Sequence, residues 1–289
     1  MKRRALELRV VAASASGVLA FSALFNHPLR GHPPVPAPLS RALRVCADPN
    51  NLPFSNRAEQ GFENRIARLI AAELGAEVRY TWWAQRRGFV RNTLRDGKCD
   101  LIPGVPARFD QVATTTPYYR SSYVFVTRRD RDPPVESIDD PRLRRLKVGV
   151  HLIGDDYANP PPVTALARRG IVRNVAGYSV YGDYRDPNPP ARLIEAVARG
   201  KVDIAIVWGP LGGFFATREA PPLRVTLMRE SEDGMGVPFV FAIAMGVRPA
   251  DSVLGRRIEA VLARRRGDIR LILEQYGVPL LPDRPAEGT

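Results

Sequence analysis

The sequence predicts an α/β protein built as two lobes with mixed sheets and a cleft between them. Three observations carry this expectation. Short apolar runs alternate with amphipathic stretches from residue 42 onward, the order of strands and helices layered on sheets. One helix–strand plan occurs twice, 100 residues apart. The 289 residues also suffice for a leader and two lobes of roughly 100–150 residues each.

In chain order, the first segment is an address. Lys2, Arg3 and Arg4 precede the apolar run Val10–Phe25, whose 16 residues fall short of the about 20 that a spanning helix needs. Residues 1–25 therefore read as a signal or anchor segment, with Ala20-Phe21-Ser22 as the best processing site on offer. Retained, the segment would tether the protein to the inner membrane. Residues 26–40 hold five prolines and no amphipathic period, which marks an extended spacer.

The folded body opens with the strand ALRVCA, Ala42–Ala47. GFENRIARLIAAELG places Ile66, Leu69, Ile70 and Leu74 on one helical face and stops at Gly75. EVRYTWW is a strand, RRGFVRNTLRDGK a helix, and CDLIPGVP and SYVFVTR are strands. After an Asp/Pro-rich turn come the strand LKVGV, a helix near TALARRG, the helix ARLIEAVARGK and the strand VDIAIVWG. VPFVFAIAMGV is the last strand, and two helices surround Leu254 to Tyr276. The internal repeat joins Arg91–Pro106 to Ala191–Pro210. Each runs as a helix, then Gly-Lys-x-Asp, an apolar strand and a Gly/Pro-containing loop, with Asp100 and Asp203 in matching places. Ligands of open parallel sheets bind beyond the carboxyl ends of strands. The loops Gly104–Arg108 and Trp208–Gly213 are accordingly expected to face each other across the cleft.

Composition narrows the function classes. The chain is 45% apolar and 25% charged, an ordinary globular balance. Its 43 Lys and Arg give a net charge of +13 but are spread along the chain, as in Arg144-Arg145 and Arg168-Arg169, with no nucleic-acid motif. An acidic protein partner or anionic surface fits better than nucleic acid. Two cysteines, Cys46 and Cys99, fit an oxidising compartment, and with export indicated by the leader a disulfide is favoured over two buried thiols. Three histidines and no CxxC build no metal cluster, and no GxSxG, P-loop or dinucleotide fingerprint is present. No catalytic residue, cofactor or metal is expected.

Several segments together resemble a known family. Leu43-Arg44-Val45, GFENRIARLIAAELG, GKCDL and TTTPYYRSSYVFV, in this order, are similar to the bacterial family 3 solute-binding proteins. VCADPNNLPFS, YTWWAQRRGFVRNTLRDGKCDLIPGVP and PYYRSSYVFVTR resemble a narrower branch, associated with quinoprotein dehydrogenases. These are the MxaJ/XoxJ-type proteins encoded beside PQQ-dependent methanol dehydrogenases. The resemblance covers roughly residues 42–280. It implies the type II periplasmic-binding-protein fold, with a two-strand hinge near Tyr118–Ser122 and a return near Met245–Pro249. Lobe 1 would then comprise residues 41–120 and 247–285, and lobe 2 residues 121–246. It also implies that the first strand neighbours CDLIPGV, which makes a Cys46–Cys99 bridge reasonable.

The same resemblance orders the site candidates. Many relatives grip an amino-acid carboxylate with an Arg nine residues before Pro-Tyr-Tyr, and Arg108 stands at that spacing before Pro117. A solvated loop cation is the plain alternative. Relatives also hold the α-ammonium with an Asp just after the strand that follows G-K-x-D. Here that strand runs into Trp208-Gly209-Pro210 without a carboxylate, which argues against amino-acid binding. Asp48, Asn50, Asn51 and Phe54 lie after the first strand, and Tyr118, Trp208 and Phe214 complete the cleft candidates. Trp83 with Arg86 and Arg87 is a docking candidate, since only one of Trp82 and Trp83 should point to the core. Gly154-Asp155-Asp156-Tyr157 reads as a helix cap.

Three function classes follow. The resemblance implies a periplasmic, non-enzymatic accessory protein that binds a PQQ-dependent alcohol dehydrogenase and assists its maturation or activation. A substrate-binding receptor of an ABC importer, for a small organic solute other than an amino acid, is the alternative. An enzyme on this scaffold would need a cleft acid beside an Arg-held carboxylate, and no Glu or His stands in the expected cleft loops.

Overall fold

The computed structural model describes residues 42–152, 159–180, 187–229 and 231–282, all within one compact unit, Leu39–Thr289. The signal and spacer segments and Gly154–Tyr157 lie outside the described residues. The first lobe begins with strand β1 (Ala42–Ala47), a short hairpin β2 (Asn50–Asn51) and β3 (Ser55–Asn56), helix α1 (Phe62–Glu73) and β4 (Glu77–Trp82). A turn of π-helix, Arg91–Arg95, leads to β5 (Ile102–Pro106) and β6 (Ala113–Thr114). The long strand β7 (Tyr119–Thr127) enters the second lobe. There β8 (Val148–Leu152), α2 (Pro161–Arg168), β9 (Val175–Ser179), α3 (Arg192–Ala198), β10 (Ile204–Trp208), α4 (Gly209–Ala216) and β11 (Arg224–Leu227) follow. Strand β12 (Val240–Val247) returns the chain, and α5 (Ser252–Arg264) and α6 (Arg266–Gln275) finish it.

The sheet is mixed, in the order β5-β12-β7-β10-β8-β9. Strand β1 pairs in parallel with β4, and a Val45–Leu101 bridge joins it to the start of β5. The lobes are linked where β7 and β12 run antiparallel, Tyr119 opposite Ile243 and Ser122 opposite Val240. The return, expected near Met245–Pro249, thus crosses at Val240–Ile243. Met245 and Val247 already pack with Leu43, Phe62, Ile66 and Ile258 in the first lobe's core. The second lobe is buried on both sheet faces. Val124 and Val126 of β7 face one core with Leu193 and Val207, whereas Tyr123 and Phe125 face another with Val148 and Ile206.

The two G-K-x-D segments fold alike. Gly97 and Gly200 each take φ +68°, the left-handed turn that ends a helix. Asp100 N–H donates to the Arg44 carbonyl, and its carboxylate accepts from Arg44 N–H at 3.3 Å. Asp203 does the same with Lys147, whose N–H donates to its carboxylate at 2.8 Å. Each Asp, just before its own strand, therefore ties that strand's start to the amino-terminal part of its parallel neighbour. Beside the first of these locks, Cys46 and Cys99 form a disulfide with Cα atoms 5.5 Å apart, inside a small core with Phe89, Leu94 and Val105.

The segment after Trp208, expected as a loop, is helix α4. Its glycines allow an approach that side chains would block. A Cβ at Gly212 would overlap Val124 and Val207, and one at Gly213 the Gly277 carbonyl. Burial against β7 and the C-terminal segment offsets the helix penalty of about 1 kcal/mol per glycine.

Candidate functional site

A cavity of about 320 Å³ lies between the lobes at the β7–β12 crossing. The crossing contributes Tyr119, Tyr123, Phe241 and Ile243. Phe54 lines the first-lobe wall, with Glu63 from the first turn of α1 and Gly104–Pro106 of β5; the second-lobe wall includes His151, Val163, Ile206, Trp208 and Leu211. Tyr123, Trp208 and Phe241 meet edge to face, with Trp208 5.5 Å from Tyr123 and 5.7 Å from Phe241. The expected facing of Gly104–Arg108 and Trp208–Gly213 is realised by Gly104–Pro106, Trp208 and Leu211 only.

The local fold explains why Glu63 is here. Phe62 and Glu63 N–H groups donate to the carbonyls of Pro53 and Phe54, and Asn64 Oδ1 accepts from Gly61 N–H at 3.1 Å. These bonds pin the start of α1 beneath the 52–56 loop, so residue 63 projects between the loop and β5. Its carboxyl lies over the bare backbone of Gly104, where a Cβ would overlap it. Burial away from water pushes its pKa up to about 8, with no hydrogen bond or ion pair to the carboxyl among the described residues. Across the cavity His151 is buried with Nε2 3.2 Å from the Pro190 carbonyl oxygen, and burial lowers its pKa to about 4. Burial likewise raises Tyr119 and Tyr123 well above the ordinary phenol value. The expected cleft loops hold neither Glu nor His, yet the cavity takes one of each from elsewhere in the fold. Both stand on regular elements, the first turn of a helix and a central strand, and not in the loops that the pattern pointed to.

Of the loop candidates, Asn51 and Phe54 line the cavity. Asp48 is buried and its carboxylate accepts from the N–H groups of Asn50 (2.8 Å) and Gln85 (2.7 Å), organising the loop from behind. Asn50 pairs with Asn56 in the hairpin. Asn51 Nδ2 donates to Gln85 Oε1 at 3.2 Å, while Asn51 Oδ1 is buried without a partner. Arg108, two residues beyond the end of β5, lies outside the cavity, in a broad groove with Thr116, Arg120, Glu259 and Arg266. Tyr118 is half-buried and lines the groove that holds Arg108 instead of the cavity, its hydroxyl donating to the Pro103 carbonyl at 3.0 Å. Trp208 lines the cavity, but Phe214 is core: it stacks on Tyr276 at 5.6 Å under the Arg218 guanidinium. Trp83 is exposed with Lys98 Nζ 5.2 Å above its ring, beside exposed Arg86 and Arg87, whereas Trp82 stacks on Tyr80. A His at the end of the apolar strand LKVGVHL and a Glu beside Phe62 at the start of an amphipathic helix were the signals available for the residues missed.

Residues 43–277 match the family described as bacterial extracellular solute-binding proteins, family 3. The chain belongs to this family. Within the family it is similar to Protein MoxJ of Methylorubrum extorquens, 34% identical over 255 residues, covering 85% of this chain and 83% of that one. The crystal structure of periplasmic binding protein XoxJ from Methylobacterium extorquens AM1 superposes with a TM-score of 0.68 at 37% identity. It covers 83% of this chain and all of that one. MxaJ from Methlophaga aminisulfidivorans MPT gives 0.69 at 25% identity, over 83% of this chain and 100% of its own. This family 3 protein thus shares its two-lobed frame with binding proteins, while Arg108 lies outside its cavity and β10 ends at Trp208 and runs directly into Gly209 and Pro210.

Proposed function

We propose that this protein is a non-catalytic periplasmic accessory factor that binds a PQQ-dependent alcohol dehydrogenase, methanol dehydrogenase by resemblance, and assists its maturation or activation. The observation that carries the reading is the displaced Arg108. A family 3 cleft without its carboxylate grip, and with Trp208 where relatives keep an acid, is poorly suited to amino-acid delivery. Similarity to MoxJ, XoxJ and MxaJ supports the partner class. The working units are the two lobes on either side of the β7–β12 crossing, with the return placed at Val240–Ile243 and Met245 belonging to the first lobe. Trp83, Arg86 and Arg87 are the docking candidates, and the net charge of +13 suits an acidic partner.

A pull-down of the tagged protein from periplasmic extract, followed by a salt series, tests this. Recovery of a quinoprotein dehydrogenase that elutes as salt rises is the expected outcome. An empty pull-down, with stabilisation by a small carboxylate that Arg108→Ala abolishes, would instead assign the protein to an ABC importer.

A further inference from the structure

The cavity has a chemical bias that the accessory role does not use. Buried polar groups are almost always hydrogen-bonded, so an isolated buried carboxyl calls for an explanation. Oδ1 of Asn51 is buried without a partner, and no hydrogen bond among the described residues reaches the Glu63 carboxyl or the Tyr119 and Tyr123 hydroxyls, whose titration is shifted by burial. Asn51 Oδ1 can only accept, the tyrosine hydroxyls can accept as well as donate, and Glu63 becomes a pure acceptor once it ionises, so the site can satisfy a multiple donor. The chain carries 43 Lys and Arg, yet none stands among the described lining residues, so an anionic ligand would find no counter-charge. His151 is buried and neutral, with a ring nitrogen already at the Pro190 carbonyl, and does not repel a cation across the cavity. The faces of aromatic rings attract cations, and Tyr123, Trp208 and Phe241 line the space.

We propose that the interlobe cavity binds a small organic ammonium ion, its cation held by the Glu63 carboxylate and its carbon skeleton against Trp208, Phe241 and Tyr123. The volume of about 320 Å³ corresponds to about ten water volumes, room for an arylalkyl amine. The position of Glu63 in the first turn of α1 favours its charged form once a cation arrives. At neutral pH the empty site holds the Glu63 proton, and burial is the cause. Binding therefore moves that proton to buffer: the carboxylic acid and the ammonium ion become a carboxylate–ammonium pair plus one released proton. The titratable groups around Glu63 are Tyr80, Tyr118 and Tyr119, all with raised values, and His151 across the cavity. None of these groups changes charge between pH 6.5 and 8, so the proton released in that range is Glu63's.

The inference is independent of the dehydrogenase reading, because titration of the isolated protein reads the cavity and the pull-down reads docking. Calorimetry with phenethylammonium, 2-phenylethanol and 3-phenylpropionate compares a cation, a neutral and an anion of one shape. The expected order has the amine bound at least about tenfold more tightly than the alcohol, the scale of a lost charge-assisted hydrogen bond, and the acid unbound. Glu63→Gln should weaken the amine by a similar factor. In the unaltered protein, titration in two buffers of different ionisation enthalpy should show about one proton released per amine at pH 6.5, and affinity rising up to about tenfold per pH unit until pH 8. Acid or alcohol binding as tight as the amine, amine binding without proton release, or no binding by an aryl and alkyl amine series would each overturn the proposal.

Discussion

Glu63 and His151 face the same cavity with opposite protonation habits, and together they set how stability responds to pH. Glu63 keeps its proton to about pH 8 when folded, against 4.5 as its ordinary value, so the unfolded chain loses that proton first. Its contribution falls as pH rises from 4.5 to 8. His151 gains a proton only near pH 4 when folded, against 6.5 ordinarily, so the unfolded chain gains it first and stability falls as pH drops from 6.5 to 4. Between 4.5 and 6.5 the slopes oppose and cancel. Between 6.5 and 8 Glu63 acts alone, and at about 1.4 kcal/mol per pH unit the loss is about 2 kcal/mol. Denaturant titrations across this window should show that decline, and Glu63→Gln should flatten it. A wild-type stability that stays level from pH 6.5 to 8 would contradict a buried, protonated Glu63. Neither residue stood out in the sequence. A glutamate in the first turn of a helix ordinarily complements the dipole in water, and only the loop bonded over α1 takes this one out of water.

At the scale of elements, the repeated turn and the bridge beside it hold the first lobe's edge. Asp100 is shared by Arg44 and Arg248, with Arg248 also donating to the Cys99 carbonyl. Asp100→Ala should cost about 2 kcal/mol, since hydrogen bonds to charged groups are lost and both guanidiniums remain. Replacing Cys46 and Cys99 by serine opens a loop of sequence separation 53, and the chain-entropy relation puts the cost at about 4 kcal/mol. Chemical denaturation of the two variants checks both values. These elements were legible in advance because their signals are local: a helix stop at glycine, an aspartate before an apolar run, and a period of 3.6 or 2. Helix α4 was not, because three glycines within eight residues argue against a helix until β7 and Gly277 are seen to lie against it.

At the scale of the molecule, the lobes meet at the β7–β12 crossing and again where α4 touches the C-terminal segment. Gly213 lies against the Gly277 carbonyl, and Phe214 stacks on Tyr276. Gly213→Val should force these apart and lower stability by about 1–3 kcal/mol, the usual cost of overpacking. Unfolding that moves by less than the experimental error would show that this contact gives way freely. The order of elements apart from α4 and the doubled plan were readable along the chain, because each rests on residues within a turn or two of one another, while the family and the pairing of two cysteines 53 positions apart rested on the resemblance of whole segments. The return crossing at Val240–Ile243, the exclusion of Arg108 and the meeting of Glu63 with His151 were not. Those depend on strand register and on which faces of two lobes come together, and these are settled by packing between residues tens to more than a hundred positions apart, where no local period reaches.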